Sequence, residues 1–459
     1  MAKPNITKIL FEGREETLEI FDNGGDLVKH LTRGDNPVCP LLGSSIRIGR
    51  VLGKGRYGEA FLIEFDQRGV QTYALKKTEP LIELHQHTDA DTTYKSLRVE
   101  GLSSLTIAKF NEDNPKARVT TAKKIRYGDV VKIPLFLISC IKDKILDRVD
   151  GNGQFAIRDG SIVCQQAYTE FIISLLMGNV YRSGKSINFI DTFYFATCVD
   201  ESKKFSQYTF MELIDGGSIQ GKEDIYKNHL DNLAIQTLHA IGVYQAEKIV
   251  HNDLHIGNIF IKKVDDDMVW GGNKVNDATH FEYQIDGVSI WIPASPYIVK
   301  IADWGFGCKY STPVILNEDV MSPGIDQVSG AWMPNFYSES YDVIYSMASI
   351  ARASKLGRSS SRVSKFMEEI MEEILYRATT IYAPAGPIQA PNPKREKINV
   401  DENLDLVMDF GTSRPIIDKL HTPHFNQITP GNILLESECM KKYMVEPPAS
   451  ARIVLLGEF

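Results

Sequence analysis

A chain of 459 residues exceeds what one compact core normally holds and suits two lobes with added segments. Its 43% hydrophobic and 24% charged residues are ordinary for a soluble protein, and a formal charge of −8 gives no broad basic footprint, so nucleic acid is not expected as a partner. Six scattered cysteines without a Cys-x-x-Cys pair argue against a zinc framework and read as reduced thiols of an intracellular protein.

The first residues lack a signal-peptide apolar region, and Ala2 stands where myristoylation needs glycine. Residues 1–45 form a leader of short apolar runs broken by turn signals such as Asn23-Gly24-Gly25, to which the sequence assigns no function. From Ile46 the pattern alternates as in a small antiparallel sheet, with strands expected at 46–52, 59–65 and 72–76. Residues 78–160 are too long for a connecting loop and carry their own apolar pieces, so they read as a folded insertion. Their longest apolar run, 130–141, contains Lys132 and falls short of the ~20 residues that span a bilayer, so no membrane span is expected.

A helix is expected at 165–177, then strands at 188–198 and 207–214. Leu230, Leu233, Ala234, Thr237, Leu238 and Ile241 repeat at helical spacing on one face. A polar, turn-rich second insertion follows at 263–297. A Pro-rich break begins at Ala383, and residues 400–459 form a tail whose structure the pattern does not specify.

The chemistry concentrates in two places. Val250-His251-Asn252-Asp253-Leu254-His255-Ile256-Gly257-Asn258 sets a lone acid five residues before an amide, and Val299-Lys300-Ile301-Ala302-Asp303-Trp304-Gly305 supplies a second acid after a β-branched run. Phosphoryl transfer needs such parts: a carboxylate to orient and accept from a hydroxyl, and oxygens to hold magnesium. Gly53-Lys54-Gly55-Arg56-Tyr57-Gly58 lies between two strands, which argues against a dinucleotide-binding turn; a plain hairpin accounts for these glycines equally well. In Tyr73-Ala74-Leu75-Lys76, alternation puts Lys76 rather than Lys77 on the face of Ala74. Glu170, in an amphipathic helix, and Glu100, closer in sequence, compete as its partner. Phe210-Met211-Glu212-Leu213-Ile214-Asp215-Gly216-Gly217 reads as a strand running into a flexible connection.

In order and kind these motifs resemble the protein kinase superfamily, with Trp304 where Phe is usual. The resemblance covers residues 46–380 and implies an α+β, bilobal, protein-kinase-like fold. A small antiparallel-sheet lobe would span 46–211 with the 78–160 insertion, and a mainly helical lobe 212–382 with the 263–297 insertion; the break and tail occupy 383–459. It further implies ATP and Mg2+ as cofactors. Gly53, Gly55 and Gly58 would close over the phosphates and Lys76 would pair with the α- and β-phosphates and with Glu170. Met211 would be the gatekeeper, with the main chains of Glu212 and Ile214 meeting adenine. Asp253 would be catalytic, Asn258 and Asp303 would hold the metal, and Asp342 would brace the catalytic-loop backbone.

Asn252 replaces the family's usual Arg and His255 its usual Lys, a pattern that also resembles haspin-like kinases and aminoglycoside and choline phosphotransferases. The divergent style is similar to serine/threonine kinases of large DNA viruses. The expectation is therefore a soluble intracellular kinase, of host cytoplasm or virion if viral, that transfers the γ-phosphoryl group to Ser or Thr of protein substrates. A small-molecule phosphotransferase and a pseudokinase scaffold are the alternatives; oligomeric state is not specified by the sequence.

Overall fold

Alternating apolar positions separated by glycine and polar turns favour strands in the first part of the chain, and buried helical stripes follow. The computed structural model describes residues 5–11, 14–20, 46–54, 58–66, 70–78, 94–98, 130–134, 140–142, 145–148, 155–158, 161–164, 166–199, 205–311, 314–317, 320, 337–357, 364–380 and 428–459. The chain divides into two compact units, one of residues 1–175, 191–213 and 304–326, the other of 176–190, 214–303 and 327–459.

The first unit begins with a hairpin of β1 (Asn5–Phe11) and β2 (Arg14–Ile20), within the stretch read as a leader. Strands β3 (Ile46–Lys54), β4 (Gly58–Asp66) and β5 (Val70–Thr78) follow, each longer than expected. Within the insertion β6 (Tyr94–Arg98) pairs with β7 (Val130–Pro134), and after β8 (Cys140–Lys142), β9 (Ile145–Arg148) pairs with β10 (Phe155–Arg158). Strand β11 (Ser161–Cys164) leads into α1 (Gln166–Arg182), then β12 (Thr192–Val199) and β13 (Phe205–Glu212).

A five-stranded antiparallel sheet in the order β12-β13-β5-β4-β3 makes β5 its central strand. Leu75 stands in register between Phe61 and Phe210, and Leu75, Phe210 and nearby Ile63 are buried. Each such side chain removed from water contributes about 1.5–3 kcal/mol. A hydrophobic strand centre therefore fixes where its polar neighbour Lys76 emerges.

The second unit carries α2 (Glu223–Asn228), α3 (Leu230–Ala246), β14 (Ile249–Val250), β15 (Ile259–Lys263), β16 (Val269–Trp270), β17 (Asn273–Lys274), β18 (His280–Ile285), β19 (Val288–Pro293) and β20 (Tyr297–Ile301). Helix α3 is buried on every side from Leu233 to Gln245, so its polar residues need internal partners. Gln236 Oε1 accepts from Asn188 Nδ2 at 3.1 Å and from the Val299 amide at 2.9 Å, and Thr237 Oγ1 donates to the Leu233 carbonyl at 2.7 Å.

Strands β21 (Cys308–Lys309) and β22 (Val314–Asn317) belong to the first unit, although the reading by resemblance put them in the helical lobe. The reason is pairing: β22 runs parallel to β11, which also pairs antiparallel with β8. The second unit resumes with α4 (Glu339–Gly357), α5 (Lys365–Thr380), α6 (Pro430–Glu436) and β23 (Ile453–Glu458). Thr429 caps α6, its hydroxyl accepting from the Asn432 amide at 3.1 Å, with Pro430 in the first turn.

The 263–297 insertion is more ordered than its polar composition suggests, and the tail does not stand apart from it. β18 and β19 form a hairpin turned at Asp286-Gly287, both with positive φ (48° and 79°), and β23 adds in parallel to the other edge of β18. The Phe459 amide donates to the Gln284 carbonyl at 3.1 Å, and the Asp286 amide donates to the Phe459 carbonyl at 2.9 Å. The Phe459 ring lies beside Gly242 of α3, where a Cβ would fall 2.1 Å from Cζ. No helix among the described residues is long and apolar enough to cross a membrane.

Candidate active site

The loop between β14 and β15 follows buried α3 and is held at several points. Asp342, in the first turn of α4 and fully buried, accepts through Oδ2 from the His251 amide (2.7 Å) and the Tyr244 hydroxyl (2.8 Å), and through Oδ1 from the Asn252 amide (2.9 Å). Asn252 takes a left-handed backbone at φ 65°, a conformation that asparagine tolerates better than most side chains. Ser349, one helical stretch beyond Asp342, accepts from the Ile256 amide at 2.9 Å. Neither Tyr244 nor Ser349 was singled out from sequence; the helical faces on which they lie were the available signal.

His251 is fully buried, and its Nε2 donates to the Ala302 carbonyl at 2.8 Å while Nδ1 accepts from the Asp253 amide at 3.3 Å. It therefore ties the loop to the residue before Asp303. The β15–β20 ladder does the same from the other side: Ile259 pairs with Ile301, and the Ala302 amide donates to the Asn258 carbonyl at 3.1 Å. Asn258 and Asp303 thus sit at the same end of two paired strands. Asp303 is exposed, with φ 61°.

Asp253 is partly exposed, and Asn258 faces it, donating through Nδ2 to the Asp253 carbonyl at 2.8 Å and to Oδ2 at 3.4 Å. Burial pushes the Asp253 carboxyl up to about 7, and the charges of Asp303 and Asp342 add to the rise, while the Asn258 amide opposes it. Burial also raises Asp342 to about 6 against its three hydrogen bonds, and lowers His251 to about 4. The mutual charge of Asp303 and Asp342 with Asp253 thus adds to burial in favouring the protonated Asp253 carboxyl.

In the first unit, Lys76 on β5 forms an ion pair with Glu170 on α1; the lysine is largely covered and Glu170 is buried. Glu170 is thus the partner, and Glu100 lies outside the described residues. Gly53 is the penultimate residue of β3 and Gly58 begins β4, while Gly55 between them lies outside the described residues. Met211 and Glu212 close β13. The Glu212 amide donates to the Asp191 carbonyl at 2.9 Å, and its carboxylate accepts from the Asp191 amide at 3.0 Å. Ile214, in the second unit, accepts through its carbonyl from the Gly217 amide at 3.1 Å in a turn.

The structure therefore brings together Lys76 with Glu170, and Asp253 with Asn258, Asp303, His251 and Asp342. No family model matches the chain, and no curated protein matches it.

Proposed function

We propose that this protein is an ATP-dependent kinase that transfers the γ-phosphoryl group to serine or threonine hydroxyls of proteins. The observation that carries the reading is the Asp253–Asn258 pair on a loop whose amides are clamped by buried Asp342, with Asp303 carried to the same end of the β15–β20 ladder. Such clamping supports preorganisation, which this chemistry needs more than covalent assistance.

Asp253 orients the acceptor hydroxyl and takes its proton. The Lys76 ammonium, aimed by Glu170, pairs with the α- and β-phosphates, and Gly53, Gly55 and Gly58 leave bare backbone to approach them. The Glu212 and Ile214 main chains meet the adenine edge, with Met211 beside it. The donor chemistry of Asn258 and Asp303 fits magnesium, which takes oxygen ligands and is commonly held by one or two protein groups together with phosphates. With Asn258 and Asp303 as its protein ligands, magnesium would take further oxygen ligands from the nucleotide phosphates. Magnesium, when bound, neutralises charge on the phosphate oxygens.

The test is incubation of the purified protein with labelled Mg-ATP and mixed acceptors, followed by phosphosite mapping. Label on Ser and Thr of proteins is expected, with little on Tyr and none on aminoglycosides or choline. Robust turnover of a small alcohol without protein labelling would replace this reading by a small-molecule phosphotransferase, and no transfer at all would leave a scaffold role.

A further inference from the structure

His255 stands two residues beyond Asp253, and two features of Gly257 fix it. The Gly257 amide donates to His255 Nδ1 at 2.9 Å, so Nδ1 is the acceptor and the proton of the neutral ring sits on Nε2. Gly257 also makes room for the ring: a Cβ there would fall 2.5 Å from His255 Cε1 and 2.9 Å from Nδ1. The main-chain amide of residue 257 thus sets the tautomer, and the absence of a Cβ there leaves room for the ring's orientation.

The ring so held directs Nε2 toward Asp253 Oδ2, at 3.7 Å. Asn258 Nδ2 approaches the same oxygen at 3.4 Å. Two N–H groups therefore stand on the Oδ2 side, the Asn258 amide at hydrogen-bonding reach and the imidazole just beyond it. Catalytic hydrogen bonds are commonly long without substrate and tighten when it binds. Both side chains are partly open, His255 by 38% and Asp253 by 27%, so the pair is accessible to a ligand.

We propose that His255 is a positioning residue: its Gly257-locked Nε2–H, together with Asn258, holds Asp253 Oδ2 and turns Oδ1 toward the substrate hydroxyl. This rests on the phosphotransfer reading above. The proton leaves the hydroxyl for Oδ1, the hydroxyl oxygen forms the bond to phosphorus, and the bond to the nucleotide's bridging oxygen breaks; His255 exchanges no proton.

The experiment is steady-state phosphotransfer by the full chain, with thermal melting as the folding control. His255→Ala is expected to lower kcat by ~10- to 100-fold with the KM for ATP unchanged, less than the ~10²–10⁴ contributed by general acid–base catalysis itself. His255→Gln, which returns an N–H at similar reach, should restore most of that loss. Gly257→Ala, which keeps the imidazole but displaces it, should reproduce the loss. Because His255 acts through Asp253, His255→Ala added to Asp253→Asn should slow the reaction no further. An unfolded His255→Ala leaves the decision to the Gln and Gly257 variants. Full kcat in folded His255→Ala or Gly257→Ala, failure of Gln to rescue, or additive losses with Asp253→Asn would overturn this inference alone. A wild-type protein that transfers phosphate to nothing would overturn the phosphotransfer reading and this inference with it.

Discussion

Asp253 and Asp303 lie in one polar region, yet their surroundings differ, and on the proposed reading they take separate tasks. Asp253 is partly covered and faces an amide, whereas Asp303 is exposed at a strand end. Asp253→Asn should lower kcat by ~10²–10⁴ while nucleotide affinity stays near wild type. Asp303→Asn should weaken magnesium-dependent nucleotide binding as well as rate; titration calorimetry with and without magnesium separates the two. Wild-type phosphorylation by both variants would refute the assignment. Asp342 works at a distance from the chemistry. Asp342→Ala strands the His251 and Asn252 amides in a buried site, at about 1–3 kcal/mol for each donor left unsatisfied. A lowered denaturant midpoint at unchanged slope should report that cost, with activity falling as the loop loosens.

At the scale of elements, the proposed kinase reading would put any activating phosphate on the connection from β20 toward α4. Where the kinases that the sequence resembles carry an Arg that meets such a phosphate, this chain has Asn252, whose buried, left-handed backbone serves the Asp342 clamp. Protein made in bacteria or treated with phosphatase should therefore be active without phosphorylation at Ser311, Thr312, Ser322 or Ser329. Of these, Ser311 is described, its hydroxyl accepting from Lys309 Nζ at 2.7 Å; the others lie outside the described residues. Large, reproducible loss of activity on dephosphorylation at those sites would contradict this.

The elements also show what the sequence made legible. Lys76 could be chosen over Lys77 because strand alternation is local: buried Leu75 shares its face with Lys77, and Lys76, on the face of Ala74, is the one paired with Glu170. The Asp253-to-Asn258 spacing was readable because five residues of loop fix a contact within reach of one turn. Glu170 was harder, since its pairing with Lys76 bridges 94 positions. The 263–297 stretch was underread: His280 to Ile285 alternates, and Asp286-Gly287 is a strong hairpin signal with the two positive φ values such a turn needs. Its parallel partner, β23, carries no local mark of where it will pair, and the positive φ of Asn252 accompanies a bond to Asp342, 90 positions away.

For the molecule as a whole, the second unit holds its core together partly through a histidine that must stay neutral. His239 is fully buried on α3; its ring lies 4.6 Å from that of Tyr283 and 5.0 Å from that of Phe459, with Nε2 3.4 Å from the Gln284 carbonyl. Burial lowers its pKa from 6.5 to about 3. A folded-state pKa below the unfolded one means that the unfolded chain takes up the proton first. The contribution is therefore complete above about pH 6.5 and is lost progressively as pH falls toward 3, at about 1.4 kcal/mol per unit. His239→Phe or His239→Leu should flatten the dependence of melting temperature on pH across that interval; an unchanged slope would place the acid sensitivity elsewhere.

The parallel union of β18 with β23 also has a kinetic consequence. It is anchored by Thr279 and Arg452, 173 positions apart, whose main chains and hydroxyl exchange hydrogen bonds. Contacts between such distant segments form late, because the intervening chain must be closed before the pairing yields any stabilisation. Until then the β18–β19 hairpin presents an unpaired edge, and the pocket beside Gly242 that receives Phe459 stands open. Refolding from denaturant should pass through a state with that edge bare, and intermediates of this kind associate with one another as concentration rises.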